Sequence, residues 1–276
     1  MTQPELTALI QDTRAGNPQA QEKLLLEIEN QVYYHCKKIM KNESEAQEAA
    51  QDVLVTILTN LDKLQKTAAF SSWVSGVAAN HCMQLLIQHG YAWPPSEAGE
   101  GGTPEEPESL DSRSVPDAVL ENIEARQRLL EIMDSLPAEQ RMCLLLYYYD
   151  GMCIQDVAQA MDTGEDAIKS HLCRACAAIR SGVEEMEQQG ANFYGIAPLP
   201  LLLFFLQRDA LHSTLSTAQS SRLSSAVLAS LRITVPKSRT APGAESGKWV
   251  TLVKIGIGLL AVSVAAMVLI LRFLWK

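Results

Sequence analysis

A chain of 276 residues with 47% apolar content can build one or two packed cores, which excludes an intrinsically disordered protein. Its formal charge of −9 excludes a protein that coats nucleic acid by bulk charge, so any DNA contact has to come from a local basic surface. Six cysteines in so long a chain, four of them on periodic apolar segments, fit a reducing compartment better than a disulfide framework.

The opening "MTQPELTALI" lacks the basic and apolar regions of a signal peptide. Residues 5 to 90 then read as helices. Leu24, Leu25, Ile28, Val32, Cys36, Ile39 and Met40 make one apolar stripe, and Ala46, Ala49, Ala50, Val53, Leu54, Ile57, Leu58 and Leu61 make a second. The second begins with "SEAQ", where Ser44 is expected to cap the helix and Gln47 to reach back to it. Phe70, Trp73, Val74, Val77, Ala78, Cys82 and Leu85 give a third stripe, and three amphipathic helices with short links predict a bundle over residues 1–92.

Residues 93–116 contain "PPSEAGEGGTPEEPESLDSRSVP", with almost nothing to bury, and read as a flexible acidic linker. Helical pattern resumes over 117–189. Gly151 is placed to end one helix. In "DVAQAMDTGEDAIKSHLCRA" two short apolar faces, Val157, Ala158 and Met161, then Ile168, Leu172 and Ala175, flank the tight polar turn "DTGE". That is the outline of a helix-turn-helix, with Gly164 in the cap position of its second helix. Lys169, Ser170, His171 and Arg174 fall together away from the apolar stripe and are expected to face the major groove, where Lys169 and Arg174 meet phosphates or guanine edges.

Residues 190–248 hold the apolar "APLPLLLFFLQ", a Ser- and Thr-rich piece and the linker "VPKSRTAPGAESGK". From Ile255 to Leu271 there is no charge, and residues 249–275, with Trp249 and Trp275 at the ends, are long enough to cross a bilayer of about 30 Å. Lys237, Arg239 and Lys248 before the span and Arg272 and Lys276 after it favour an inside N-terminus only slightly. The pair Cys173 and Cys176 beside His171 lacks a second ligand pair, so no metal is expected. No phosphate loop, Ser-His-Asp set or paired-carboxylate signature stands out, so neither catalysis nor a cofactor is expected.

Two blocks carry a family resemblance. "SEAQEAAQDVLVTILTNLDKL" followed by "FSSWVSGVAANHCMQLL" resembles the second conserved region of extracytoplasmic-function sigma factors of the sigma-70 family, and "LPAEQRMCLLLYYYDGMCIQDVAQAMDTGEDAIKSHLCRACAAIR" resembles the fourth. The resemblance implies an all-α protein that binds core RNA polymerase and promoter DNA. It implies polymerase binding by Glu48, Gln51 and Asp52, −10 contact by Lys66, Thr67, Ser72, Ser75, Asn80 and Gln84, and −35 contact by the helix-turn-helix. The arginines usual after the third helix are missing from "MQLLIQHG". With the C-terminal span, the expectation is a transcription initiation factor on the cytoplasmic face of the cell membrane, single-pass, released or restrained by a protease or an anti-sigma factor. The alternative is a membrane-anchored DNA-binding or anti-sigma-like regulator that does not recruit polymerase.

Overall fold

The computed structural model describes residues 1–91, 123–190 and 197–234. These belong to one unit, residues 1–234; the linker expected at 93–116 and the span expected at 249–275 lie outside the described residues. Among the described residues all regular structure is helical, and no helix is long and apolar enough to cross a membrane.

The N-terminal bundle is α1 (Gln3–Arg14), α2 (Pro18–Met40), α3 (Glu43–Thr59) and α4 (Phe70–Gln88). Asn17 accepts from the Gln19 N–H, and Pro18 in the first turn needs no backbone donor, so α2 starts there; it stops where Lys41 turns left-handed at φ 63°. The cap of α3 corrects the sequence expectation. Asn42, not Ser44, is the N-cap, its Oδ1 accepting from the Ser44 and Glu45 N–H groups at 3.0 and 3.4 Å, and Ser44 lies inside the first turn. Arg14 donates to the Leu61 and Leu64 carbonyls at 2.8 and 2.6 Å and pins the loop that leads to α4. The α2 and α3 stripes are buried as their spacing predicts, except that Leu58 is half-buried.

The following domain is α5 (Ile123–Ser135), α6 (Ala138–Leu144), which continues as a π-helical turn over Leu145–Tyr149, α7 (Ile154–Ala160) and α8 (Glu165–Gln188). Gly151, at φ 69°, reverses the chain after the π turn. Gly182 lets α8 approach α5: a Cβ there would meet Ile132 Cδ1 at 2.6 Å. Residues 198–234 form two further helices, α9 (Pro198–His212) and α10 (Thr217–Thr234). On α9, Leu199, Leu201, Leu202, Phe205 and Leu206 are buried against α5, α8 and the π turn, while α10 lies on α2 and α3.

Candidate nucleic-acid and polymerase interface

The second helix of the helix-turn-helix begins at Gly164, whose extended backbone (φ −81°, ψ 150°) starts α8 without a side-chain cap. Ile168, Leu172 and Ala175 point inward as their spacing predicts. The four residues expected to read the groove do not share one open face. Arg174 is exposed, and Lys169 is half-exposed with Nζ 3.0 Å from Asp166 Oδ1, but Ser170 and His171 are only 6% and 8% exposed. The physical reason is the packing of α6 and α7 along α8, which the spacing of one helix does not reveal. Burial holds the His171 imidazole below its ordinary range, opposed by Glu139 and reinforced by Arg174, so the ring is neutral near pH 7.

The loop and helix expected to meet the −10 strand divide in the same way. Lys66 is exposed and Thr67 Oγ1 is 3.0 Å from Thr7 Oγ1, which fixes the loop on α1. Ser75 is fully buried and accepts from Gln31 Nε2 at 2.9 Å, so it serves the bundle core and is not presented to a strand. Ser72, Asn80 and Gln84 line a cleft of about 620 Å³ between α4 and α7. Asn80 Nδ2 donates to the Ala160 carbonyl at 3.2 Å, and Gly76 lets α7 come close, since a Cβ there would sit 3.3 Å from Ala160 Cβ. The expectation of an ordinary amphipathic α4 is corrected here. Val74, Ala78 and Cys82 face the bundle core, whereas Trp73 and Val77 line the cleft toward α7.

On α3, Glu48 and Asp52 are exposed and Gln51 is half-buried. Asp52 Oδ2 lies 3.9 Å from His81 Nε2 on α4, a ring whose pKa burial lowers against the pull of Asp52. Glu48 and Gln51 line a groove of about 390 Å³ whose other wall is Gln219, Arg222, Leu223 and Ala226 of α10.

The sequence reading missed a cluster at the C-terminal end of α2. His35 Nε2 is 2.7 Å from Asp150 Oδ2, Lys38 Nζ is 2.9 Å from Asp209 Oδ2, and the Tyr34 hydroxyl donates to the Leu206 carbonyl at 3.1 Å. Arg141, 2% exposed, donates to the Ile39, Leu136 and Asp134 carbonyls. Tyr34, His35 and Lys38 sit on the flank of the apolar α2 stripe. Two charged or titratable groups there, His35 and Lys38, with no oppositely charged residue a turn away in the sequence, were the available signal.

Comparison with known proteins fits this division of the chain. Residues 24–90 match the model of Sigma-70 region 2, and residues 126–179 match Sigma-70, region 4. Two stretches of the chain are thus similar to the two conserved regions of sigma-70 factors. The stretch matching region 2 runs from within α2 through α4, the stretch matching region 4 runs from within α5 into α8, and the buried α2 cluster joins the two. Among curated relatives, the chain is 28% identical over 167 residues to the probable RNA polymerase sigma factor RfaY of Xanthomonas campestris, covering 60% of this chain and 41% of that protein. It is 24% identical to the ECF RNA polymerase sigma-E factor of Escherichia coli, over 64% of this chain and 94% of the relative. It is 22% identical to the RNA polymerase sigma-H factor of Pseudomonas aeruginosa, over 67% and 97% respectively. The family resemblance read from the two sequence blocks therefore holds for both domains.

Proposed function

We propose that this protein directs core RNA polymerase to specific promoters as an extracytoplasmic-function sigma factor, and that residues 249–275 tether it to the cytoplasmic face of the membrane with the N-terminus inside. One observation carries the reading: matches to region 2 and to region 4 occur together in one chain. A helix-turn-helix alone would suit many regulators; its pairing with region 2 calls for polymerase.

In this reading the exposed Glu48 and Asp52 and the half-buried Gln51 meet polymerase, and the exposed Arg174 and Lys169 take phosphate or guanine edges of the −35 duplex. Lys66, Thr67, Ser72, Asn80 and Gln84 meet the melted −10 strand, where an unstacked base shows its whole edge. The protein acts by binding and positioning; the chemistry of RNA synthesis belongs to the polymerase. Because α7 forms one wall of the cleft lined by Ser72, Asn80 and Gln84 and holds Asn80 through the Ala160 carbonyl, region 4 moves off α4 in this reading as the −10 strand binds. An anti-sigma factor or a protease acting on the stretch 235–248 is the kind of partner such a tethered factor requires.

The same contact of α7 with Asn80 favours a second reading, a membrane-anchored DNA-binding or anti-sigma-like regulator that does not recruit polymerase. Affinity purification of the full chain from its own cells in detergent separates them. Stoichiometric core polymerase subunits support the sigma reading, and recovery with DNA but no polymerase supports the second.

A further inference from the structure

The helix α10 belongs to neither conserved domain, yet it is laid along region 2. Its sequence, "TAQSSRLSSAVLASLRIT", alternates serines with a few apolar residues, and the buried members are Ser224, Val227 and Leu231. Opposite them on α2 stands Glu29, only 4% exposed, whose carboxylate accepts from the Ser220 hydroxyl at 2.5 Å and the Ser224 hydroxyl at 3.3 Å. Asn30 Oδ1 accepts from the Leu215 N–H at 3.0 Å, fixing the turn before α10.

This seam differs in chemistry from that of α9. Helix α9 is held by a buried apolar face and by the Lys38–Asp209 ion pair, as a permanent core element is. Helix α10 combines a short apolar seam, Val227 and Leu231 buried with Leu223 and Leu228 half-buried beside them, with two neutral hydroxyls on a buried carboxylate. Hydroxyls satisfy a carboxylate without neutralising it, and on opening water replaces them, so Glu29 is not left as an unpaired buried charge when the seam separates.

We propose that α10 is an intramolecular lid, hinged at residues 213–216 on the anchored α9, that walls in the groove beside Glu48 and Gln51 of α3 and thereby competes with core polymerase for region 2. The proposal rests on the sigma reading above for the identity of the competitor. The lid itself rests on the packing of α10 against α2 and α3. In the chain α10 is also the described helix that directly precedes the stretch expected to reach the membrane, so an event there acts on the lid before it acts on either domain.

A lid of this kind lowers apparent affinity by the fraction of molecules that are open. The test uses the full chain in detergent micelles, carrying Ser220→Asp with Ser224→Asp, which sets carboxylates against Glu29. A separate Val227→Asp variant reaches the same end from the apolar side, and circular dichroism checks that helix content is kept. Hydrogen exchange should rise over residues 217–234 and over 43–51 in both, and core polymerase should bind about tenfold more tightly or better than to the unaltered chain. Faster exchange in 217–234 with affinity within about twofold of the unaltered chain overturns the competition, and unchanged exchange over 43–51 overturns the lid. Exchange rising as expected while no form binds polymerase upholds the lid and contradicts the sigma reading.

Discussion

His35 Nε2 faces Asp150 Oδ2 at 2.7 Å while His35 Nδ1 faces the Gln31 carbonyl at 2.9 Å. Both ring nitrogens thus meet acceptors, and only the doubly protonated imidazolium donates to both. This buried pair joins α2 of region 2 to the end of the π turn in region 4.

Its charge state has a measurable consequence. Burial pushes the His35 pKa down, but the charge and hydrogen bond of Asp150 and the Gln31 carbonyl together outweigh it, so the pKa is raised. A raised histidine stabilises the folded form fully below its unfolded pKa of about 6.5, and that contribution is lost as pH climbs through the folded value. Asp150→Asn should cost about 3 kcal/mol below pH 6.5 and less as the pH rises, because it leaves a buried charge unpaired only while the ring is protonated. Urea denaturation of both forms across this range checks it; a difference that does not shrink with pH contradicts the assignment.

The close approach of α4 and α7 predicts a wedge. Gly76→Leu places a branched side chain where even a Cβ would sit 3.3 Å from Ala160 Cβ. Overpacking of this kind costs about 1–3 kcal/mol, and here it should be relieved by separating region 4 from region 2. Faster hydrogen exchange over residues 154–160, with the α2 and α3 cores unchanged, is the expected result.

On the recognition helix, Arg174→Ala should weaken −35 binding by about 1–3 kcal/mol and relax base preference where it contacts guanine. Lys169→Ala should weaken all sequences alike, as loss of a phosphate contact does. Gel-shift titrations at fixed salt on matched and altered sites distinguish the two patterns.

Asp52→Arg reverses charge on the exposed flank of α3 beside His81, whose lowered pKa leaves it neutral near pH 7. Without a cation to repel, the fold should be kept, with unchanged helical circular dichroism. Co-purification with core polymerase should be lost. Retained binding shows that this flank is merely solvated.

Much of the fold was legible because local spacing decides it. The stripes of α2 and α3, the helix-turn-helix and the Gly151 break all follow from residues a turn apart. The Ser44 cap was misplaced by two residues because Asn42 accepts the same kind of bond just upstream. Site exposure was less legible, since it is decided between domains. Ser75 is claimed by Gln31, His171 is covered by packing on α8, and the cleft face of α4 is set by Ala160 far along the chain. The apolar character of "APLPLLLFFLQ" left both a fold-back restraint and simple packing on the helix-turn-helix domain open, and the helix packs on α5, α8 and the π turn. Its Leu202 and Phe205 are fully buried, so cutting the chain at residue 189 removes core as well as any restraint.

The central claim is promoter-directed initiation, and run-off transcription tests it most directly. Purified full chain and core polymerase are given a library of genomic fragments from the protein's own host, and the RNA 5′ ends are sequenced. The account predicts transcripts that start at a small set of sites sharing two upstream elements, absent with core polymerase alone and abolished by Asp52→Arg. Fragments bound by the protein with no transcript above that of core polymerase would contradict it.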